Sequence, residues 1–208
     1  MGNLSDMLVS LPAILIALTF HEYAHGRVAY ALGDDTAKRM GRLTINPIPH
    51  IDVIGFLMLI FAHFGWAKPV PVNPGRFRSD VDWRQGMLFV AIAGPLMNLF
   101  IAVVGAFIYK LMLPYYQNEW IALLLPMVQY LIIIDLVLAV FNMIPIPPLD
   151  GSKVLASLLP ETGSKLIYNL EQYGPILLLL LVISGLTGKI ISPAVMWLYN
   201  FLVIHIIM

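Results

Sequence analysis

The length, composition and charge of this chain place it among membrane proteins with several spanning segments. Of its 208 residues, 60% are hydrophobic and only 12% are charged, and the mean hydropathy is +0.85, whereas soluble domains carry roughly a quarter charged residues. The net charge of +0 gives no sign of a nucleic-acid partner. The absence of cysteine excludes disulfides and thiolate metal ligands, so any metal would need His and carboxylate groups.

The apolar segments predict an all-α polytopic membrane protein with about five spanning helices, forming a single domain over residues 1–208. Residues 5–32 predict one long helix with polar residues near its end. No basic residue precedes this apolar run, so we do not expect a signal peptide. The later apolar segments are 51–64, 86–113, 120–142 and two runs within 174–207. We expect a core at residues 1–155 and a C-terminal helical hairpin at 173–208.

The basic residues predict how the helices are oriented. Nearly all of them lie in three polar regions, residues 27–42, 68–84 and 153–165. The positive-inside rule places all three regions in the cytoplasm. Segment 51–64 joins the first two regions and is shorter than the roughly 20 residues that a spanning helix needs. We therefore expect this segment to be re-entrant or interfacial.

The first helix contains an HExxH motif, formed by His21, Glu22 and His25. Residues four apart lie on one face of a helix, so the two imidazoles can bind one Zn²⁺ while the carboxylate acts on a water molecule. Such a motif can arise by chance. Two His and a Glu inside an apolar helix would be costly without a partner, however, and a metal supplies that partner. The motif predicts a hydrolytic zinc site with one ion per chain.

Two imidazoles leave the metal site incomplete, because a hydrolytic zinc usually has three protein ligands. We favour Asp150, which follows a spanning helix that should end on the same side as His25. The prolines before Asp150 cannot continue that helix, so the chain can turn the carboxylate inward. An N-cap role for Asp150 is the alternative. The candidates for the third ligand are Asp150, Asp52, His50, His63, Asp135 and His205.

Three motifs in this order resemble those of the site-2 protease family of intramembrane metalloproteases. They are HEYAH at 21–25, GPLMN at 94–98 and NMIPIPPLDG at 142–151. The resemblance implies Zn²⁺ held by His21, His25 and Asp150, with Glu22 as the base. It also implies cleavage of transmembrane segments of protein substrates by a multi-pass protein of a prokaryotic cell membrane, with its active site toward the cytoplasm. The chain shows no PDZ domain, so the resemblance is to a short form.

Several further polar residues are candidates for supporting roles. The resemblance suggests that Asn142 and Asn98 contact the substrate or the oxyanion. Asn142 could instead cap the break in its helix, and the motif of Asn98 could be a helix-packing device. Asp135 lies on the same helix face as Asn142 and could support a metal ligand or carry a proton. His50 and Asp52 could also support metal ligands, or lie in a solvated loop, and His205 is expected at the membrane interface.

Two segments next to prolines have β-like character, residues 41–46 and 66–73. We expect them to form a small membrane-associated β-hairpin or sheet, whose free edge could bind an unwound substrate by strand addition. Two plain loops are the alternative.

Two other classes of protein compete with the protease hypothesis. A metal transporter could use the same His and Asp groups, but we find no repeated halves with broken helices, as transporters often have. A non-catalytic membrane adaptor would not need all the motif residues intact. The expected partners are a transmembrane protein substrate, the lipid bilayer and, for self-association, a second copy of the chain.

Overall fold

The computed structural model describes residues 4–62 and 65–208. This described part is built almost entirely from helices, as the sequence predicts. The candidate ligand His63 and the end of segment 51–64 lie outside the described residues. The helices are α1 (Leu4–Ala31), α2 (Thr36–Arg39), α3 (Val53–Ala62), α4 (Trp83–Met112), α5 (Glu119–Asn142), α6 (Asp150–Leu158), α7 (Glu161–Glu171), α8 (Gly174–Ile183) and α9 (Leu186–Leu202).

Within the described residues, three helical stretches are long and apolar enough to cross a membrane. They are Trp83–Tyr115, Glu119–Asn142 and Gly188–Ile207. The chain is therefore an integral membrane protein, but the expected five spans are not confirmed. Helix α1 carries the charged and polar motif residues near its end, and α8 has only 10 residues, a rise of roughly 15 Å.

Helices α4 and α5 form the centre of the bundle. Ala102 and Ala106 of α4 are fully buried against Ile132 and Leu136 of α5, and Leu202 of α9 packs on the same cluster. A side chain at Gly105 would lie 3.0 Å from Ile132. These small residues let two helix backbones approach closely, as is typical of packing in membranes. The close approach brings one face of α4 and α5 against α1, where the motif histidines lie.

Helix α3 is too short to span a bilayer. Its 10 residues rise roughly 15 Å, about half of a hydrocarbon core of roughly 30 Å. Val53, Ile54 and Phe61 project outward from it and are largely exposed. A short apolar helix with an exposed apolar face agrees with a re-entrant or interfacial position, which stays a prediction.

The expected β-hairpin or sheet does not form among the described residues. Residues 41–46 and 66–73 contain no strand, and the structure shows one isolated antiparallel bridge, between Ile51 and Ala67. The physical reason is that main-chain groups needed for the hydrogen bonds of a β-ladder are occupied or absent. The Arg42 guanidinium occupies the carbonyls of Lys68 and Pro69, and proline has no N–H to donate.

Residues 66–73 instead form an extended segment over the end of α1, which we call the strap. The strap is held by buried side chains on both sides of Val70. Nη2 of Arg42 donates hydrogen bonds to the carbonyls of Lys68 (2.7 Å) and Pro69 (3.2 Å). At the other end, the Asn73 amide donates to Oδ2 of Asp34 at 2.6 Å. Arg42 is 7% exposed and Asp34 is 1% exposed, so water offers these groups little alternative.

The chain between α5 and α6 folds back sharply and places Asp150 at the start of α6. A side chain at Gly151 would collide with the main chain of Met143 and Ile144, so only glycine permits this approach. Ile144 and Leu149 of this turn are buried against Leu181 of α8. Helix α8 thus braces the segment that carries Asp150.

Candidate active site

Three side chains from distant parts of the sequence converge on one point. Nε2 of His21 lies 3.0 Å from Nε2 of His25. Oδ2 of Asp150 lies 3.1 Å from the first nitrogen and 3.2 Å from the second. All three residues are buried, and together they form the one group of potential metal ligands in the described residues.

The outer nitrogen of each imidazole has a defined partner. Nδ1 of His25 lies 2.7 Å from the Val90 carbonyl, which can only accept, so Nδ1 carries the proton. Nδ1 of His21 lies 2.6 Å from Oδ1 of Asn98. The orientation of this amide is fixed, because Nδ2 of Asn98 donates to two acceptors, the Ala17 carbonyl and the Asp135 carboxylate. Both Nε2 atoms are therefore directed at Asp150.

This arrangement fits a zinc ion. Three electron-rich atoms that face one another at close range need protons or a cation between them. Two imidazole nitrogens and one carboxylate oxygen are a ligand set found in hydrolytic zinc sites. Ligand atoms of a tetrahedral zinc lie roughly 3.4 Å apart for the usual bond lengths, close to the observed 3.0–3.2 Å. Metal-ligating histidines usually hydrogen-bond through the nitrogen that does not bind the metal. The Nδ1 atoms of His25 and His21 do so here, with Val90 and Asn98.

Gly94 of α4 leaves the space that the imidazoles occupy. A Cβ at this position would lie 2.6 Å from Cε1 and Nε2 of His21 and would also collide with Nε2 of His25. The glycine of the GPLMN motif therefore admits the two rings, and any side chain there would displace them.

Asp150 is turned toward the imidazoles and does not cap its helix. The N-cap position of α6 is Leu149, and no side chain caps this helix, so the alternative role for Asp150 is not what the structure shows. Burial alone would raise the pKa of the Asp150 carboxyl, but the neighbouring His25 and His21 hold that pKa below its usual value. The carboxylate is thus ionised, as a metal ligand must be.

Glu22 faces the same site from the next position of α1. Its Oε2 accepts a 2.7 Å hydrogen bond from the Val70 amide of the strap. Glu22, the three clustered residues and strap residues line a cavity of about 660 Å³, which we call the active-site cavity. Its lining also includes Lys153, Tyr168 and Glu171.

Asn98 and Asp135 lie behind His21. Both are 0% exposed, and the Asn98 amide is fully used by His21, Ala17 and Asp135. The expectation that Asn98 contacts substrate therefore does not agree with its position, because substrate cannot reach a buried amide whose groups are already bonded. Asp135 bonds to Asn98, which in turn bonds to His21. This position agrees with the expectation that Asp135 supports a metal ligand.

The other candidate residues lie apart from the cluster or at its margin. Asn142 lines the active-site cavity, and its amide donates to the Leu138 carbonyl at 3.0 Å. His50 lies 2.8 Å from the Thr44 carbonyl, and Asp52 accepts from the Gly55 amide at the start of α3. These bonds give His50 and Asp52 local structural roles, so the support of metal ligands expected of them is not seen in the described structure. His205 is exposed on the C-terminal helical turn.

The sequence does not identify Arg42 or the Val70 amide as site residues. Arg42 is one charge of a basic polar region there, and a main-chain amide has no sequence signature. The one available signal was an arginine among few charges beside a proline-rich segment.

The comparisons with known proteins agree with this geometry. A family model described as peptidase family M50 matches residues 115–184. The chain is 39% identical to YwhC of Bacillus subtilis over 183 residues, 86% of this chain and 82% of the relative. It is 41% identical to MJ0611 of Methanocaldococcus jannaschii over 148 residues, 71% and 69% of the two chains. It is 27% identical to Rip2 of Mycolicibacterium smegmatis over 194 residues, 90% and 71%.

Each of these three relatives carries a name that begins "Putative zinc metalloprotease". No solved structure matches the chain significantly. The chain belongs to peptidase family M50, the site-2 protease family. It is a membrane zinc metalloprotease, which confirms the enzyme and cofactor predictions over the transporter and adaptor alternatives.

Proposed function

We propose that this metalloprotease hydrolyses peptide bonds within or near transmembrane segments of membrane proteins, in regulated intramembrane proteolysis. The observation that supports this most directly is the place of the cluster. His21, His25 and Asp150 lie inside the helical bundle, against α4, one of the helices able to span the membrane. A peptide bond that reaches this cluster has entered the bundle.

In this proposal His21, His25 and Asp150 hold the zinc ion. Zinc bound there supplies Lewis-acid activation of water and of the scissile carbonyl. Glu22 takes a proton from the attacking water and passes it to the leaving amine. The Val70 amide keeps Glu22 directed into the cavity, and Asn142 on the cavity wall is placed to contact the substrate main chain.

Asn98 and Asp135 position the ligand His21 in this proposal. The Asp135 carboxylate accepts from the Asn98 amide at 2.6 Å, and Asn98 accepts from His21 at 2.6 Å. This chain of bonds holds the proton on Nδ1, so that Nε2 is free to bind a metal. The three basic regions favour a cytoplasmic side for the polar wall of the cavity.

A paired measurement of zinc content and cleavage of a single-pass transmembrane reporter tests the proposal. Glu22→Gln should keep zinc and lose cleavage, since only the proton carrier changes. Asp150→Ala should lose both zinc and cleavage. A wild-type protein that binds zinc and cleaves soluble peptides, but leaves every transmembrane reporter intact, would contradict the intramembrane proposal.

A further inference from the structure

Helix α9 turns one face toward the bundle and the opposite face away from it. Its span, Gly188–Ile207, is long and apolar enough to cross a membrane. The residues that pack with the core cluster of α4 and α5 are Val195, Leu198, Tyr199 and Leu202. The opposite face, which we call the outer face, is exposed and consists of Pro193, Met196, Trp197, Asn200, Phe201 and Ile204. Lipid can cover the apolar members of the outer face, so these alone indicate no partner.

Asn200 is the polar exception on the outer face. At the rise of an α-helix it lies roughly 18 Å from Gly188 and roughly 10 Å from Ile207, the two ends of the span. The hydrocarbon core of a bilayer is roughly 30 Å thick, so the Asn200 side chain lies within this core. The side chain is exposed and makes no hydrogen bond to any described residue.

A polar side chain in hydrocarbon is costly unless it finds a hydrogen-bond partner, because lipid tails offer none. The other asparagines of the spanning helices meet this need within the chain. Asn98 is buried and donates to Asp135, and Asn142 donates to the Leu138 carbonyl one turn back. Asn200 has neither solution, so the bundle of a single chain leaves its amide without a partner.

We propose that the outer face of α9 binds a second copy of this chain, with the two Asn200 amides hydrogen-bonded to each other across a twofold axis. An amide carries both donors and an acceptor, so two identical amides satisfy each other. Two copies inserted in one membrane have the same orientation, and their α9 helices run parallel about an axis along the membrane normal. This symmetry brings Asn200 of one copy opposite Asn200 of the other.

The neighbours of Asn200 on the outer face can complete the contact. Met196 lies one turn before it and Ile204 one turn after it, and these side chains are 63% and 58% exposed. Methionine is flexible and adapts to an irregular partner surface. Apolar contacts on both sides would enclose the amide pair, and a single enclosed asparagine pair fixes which residues of two helices face each other.

The outer face is separate from the catalytic residues. Among the residues described as lining the active-site cavity, none belongs to α9. Pairing through the outer face therefore leaves that cavity free. The inference does not depend on which substrate the protease cleaves, and its test needs no substrate.

The first experiment measures association of the full chain in phosphatidylcholine vesicles, as energy transfer between copies that carry donor or acceptor dyes on an N-terminal tag. Asn200→Leu should weaken association about tenfold, because the amide pair is lost. Asn200→Gln keeps an amide and should associate like the wild type. Asn169→Leu is the matched control, because Asn169 is exposed on α7 and lies outside the spans. Zinc content shows that each variant is folded.

Single cysteines locate the interface, because the chain contains none. Met196→Cys and Ile204→Cys should form disulfides between two copies when the vesicles are oxidised. Phe107→Cys is the matched control, since Phe107 is 54% exposed on α4, another spanning helix. We expect several times more cross-linked dimer at the two α9 positions than at Phe107→Cys, and less at both when Asn200→Leu is added.

Three results would overturn the inference. A wild-type protein that stays monomeric at every ratio of protein to lipid would leave the outer face to a different membrane protein. Association that Asn200→Leu does not weaken would show that the amide pair is not formed. Equal cross-linking at all three cysteine positions would indicate random collision of the copies. None of these results bears on the cleavage and zinc assays that test the proposed function.

Discussion

The main-chain amide of Val70 donates a hydrogen bond of 2.7 Å to Oε2 of Glu22. The strap that carries Val70 is tied on one side of it by Arg42 and on the other by Asp34. A loop with no regular secondary structure thus fixes the direction of the proposed proton carrier. Small displacements of such a group cost catalysis up to roughly 100-fold.

Arg42→Gln should therefore reduce cleavage about tenfold or more while leaving zinc binding unchanged. Glutamine cannot hold the carbonyls of Lys68 and Pro69 as the guanidinium does, so the strap loosens and Glu22 loses its orientation. The measurement is kcat for a transmembrane reporter beside zinc content. Arg39→Gln is the control, because Arg39 is exposed and pairs with Asp35. Unchanged kcat in Arg42→Gln would show that the strap does not orient Glu22.

Asp135→Asn and Asn98→Leu should each weaken zinc affinity by roughly 10–100-fold. Asn98→Leu breaks the chain of hydrogen bonds that orients His21, and Asp135→Asn replaces the charged acceptor at the end of that chain with a neutral one. The dissociation constant is measured by competition with a chelator in detergent solution. Gln129→Leu is the control, since Gln129 lies on α5 with Asp135, is exposed and bonds only to the Tyr199 hydroxyl at 3.5 Å. Wild-type affinity in both variants would assign these residues to packing alone.

Gly94→Ala should abolish zinc binding, although Gly94 is not a ligand. The added methyl would overlap the rings of His21 and His25 and force them out of line. Gly188→Ala in α9 is the matched control, because a Cβ there meets nothing within 4 Å, and alanine favours a helix by up to about 1 kcal/mol relative to glycine. Zinc content and melting temperature of the two variants distinguish loss of the site from loss of the fold. A zinc-loaded Gly94→Ala protein would contradict the prediction.

Removal of zinc by a chelator should lower the melting temperature of the wild-type protein. The ion would join His21 of α1 to Asp150 of α6, which are 129 positions apart, and a ligand that binds only the folded state stabilises it by about 4 kcal/mol at 1,000 times its dissociation constant. Asp150→Ala should melt at the same temperature with and without chelator. An equal shift in melting temperature in both proteins would show that the chelator does not act through zinc at this site.

The three side chains that converge in the structure, His21, His25 and Asp150, are the ones that the sequence predicts as ligands, because the signals for them are local. The i, i+4 spacing of His21 and His25 fixes their shared helix face, and the prolines before Asp150 mark where the chain turns back. The helical bundle follows from the apolar runs. These features depend on neighbours along the chain, which a sequence displays directly.

The rest depends on groups that meet only after folding. The expected sheet fails because Arg42 takes the carbonyls that a partner strand would need. The sequence does not indicate the partners of the buried Asn98 amide, because the packing of α1, α4 and α5 sets them together. His50 and Asp52, expected to support metal ligands, bond instead to Thr44 and Gly55. The bonds behind His21 come from Asn98 and from Asp135, and a supporting role was expected only of Asp135.

The bond between the strap and Glu22 is made by an atom that every amino acid except proline supplies. Alanine scanning at position 70 would therefore report only on the packing of the buried valine side chain, although the main-chain contact is central to the proposed mechanism. Only a replacement that removes the amide hydrogen, such as Val70→Pro or a backbone ester, tests this contact directly. Surveys of variation among natural sequences have the same limit, since they record which side chains occur at a position and not what its main-chain amide binds.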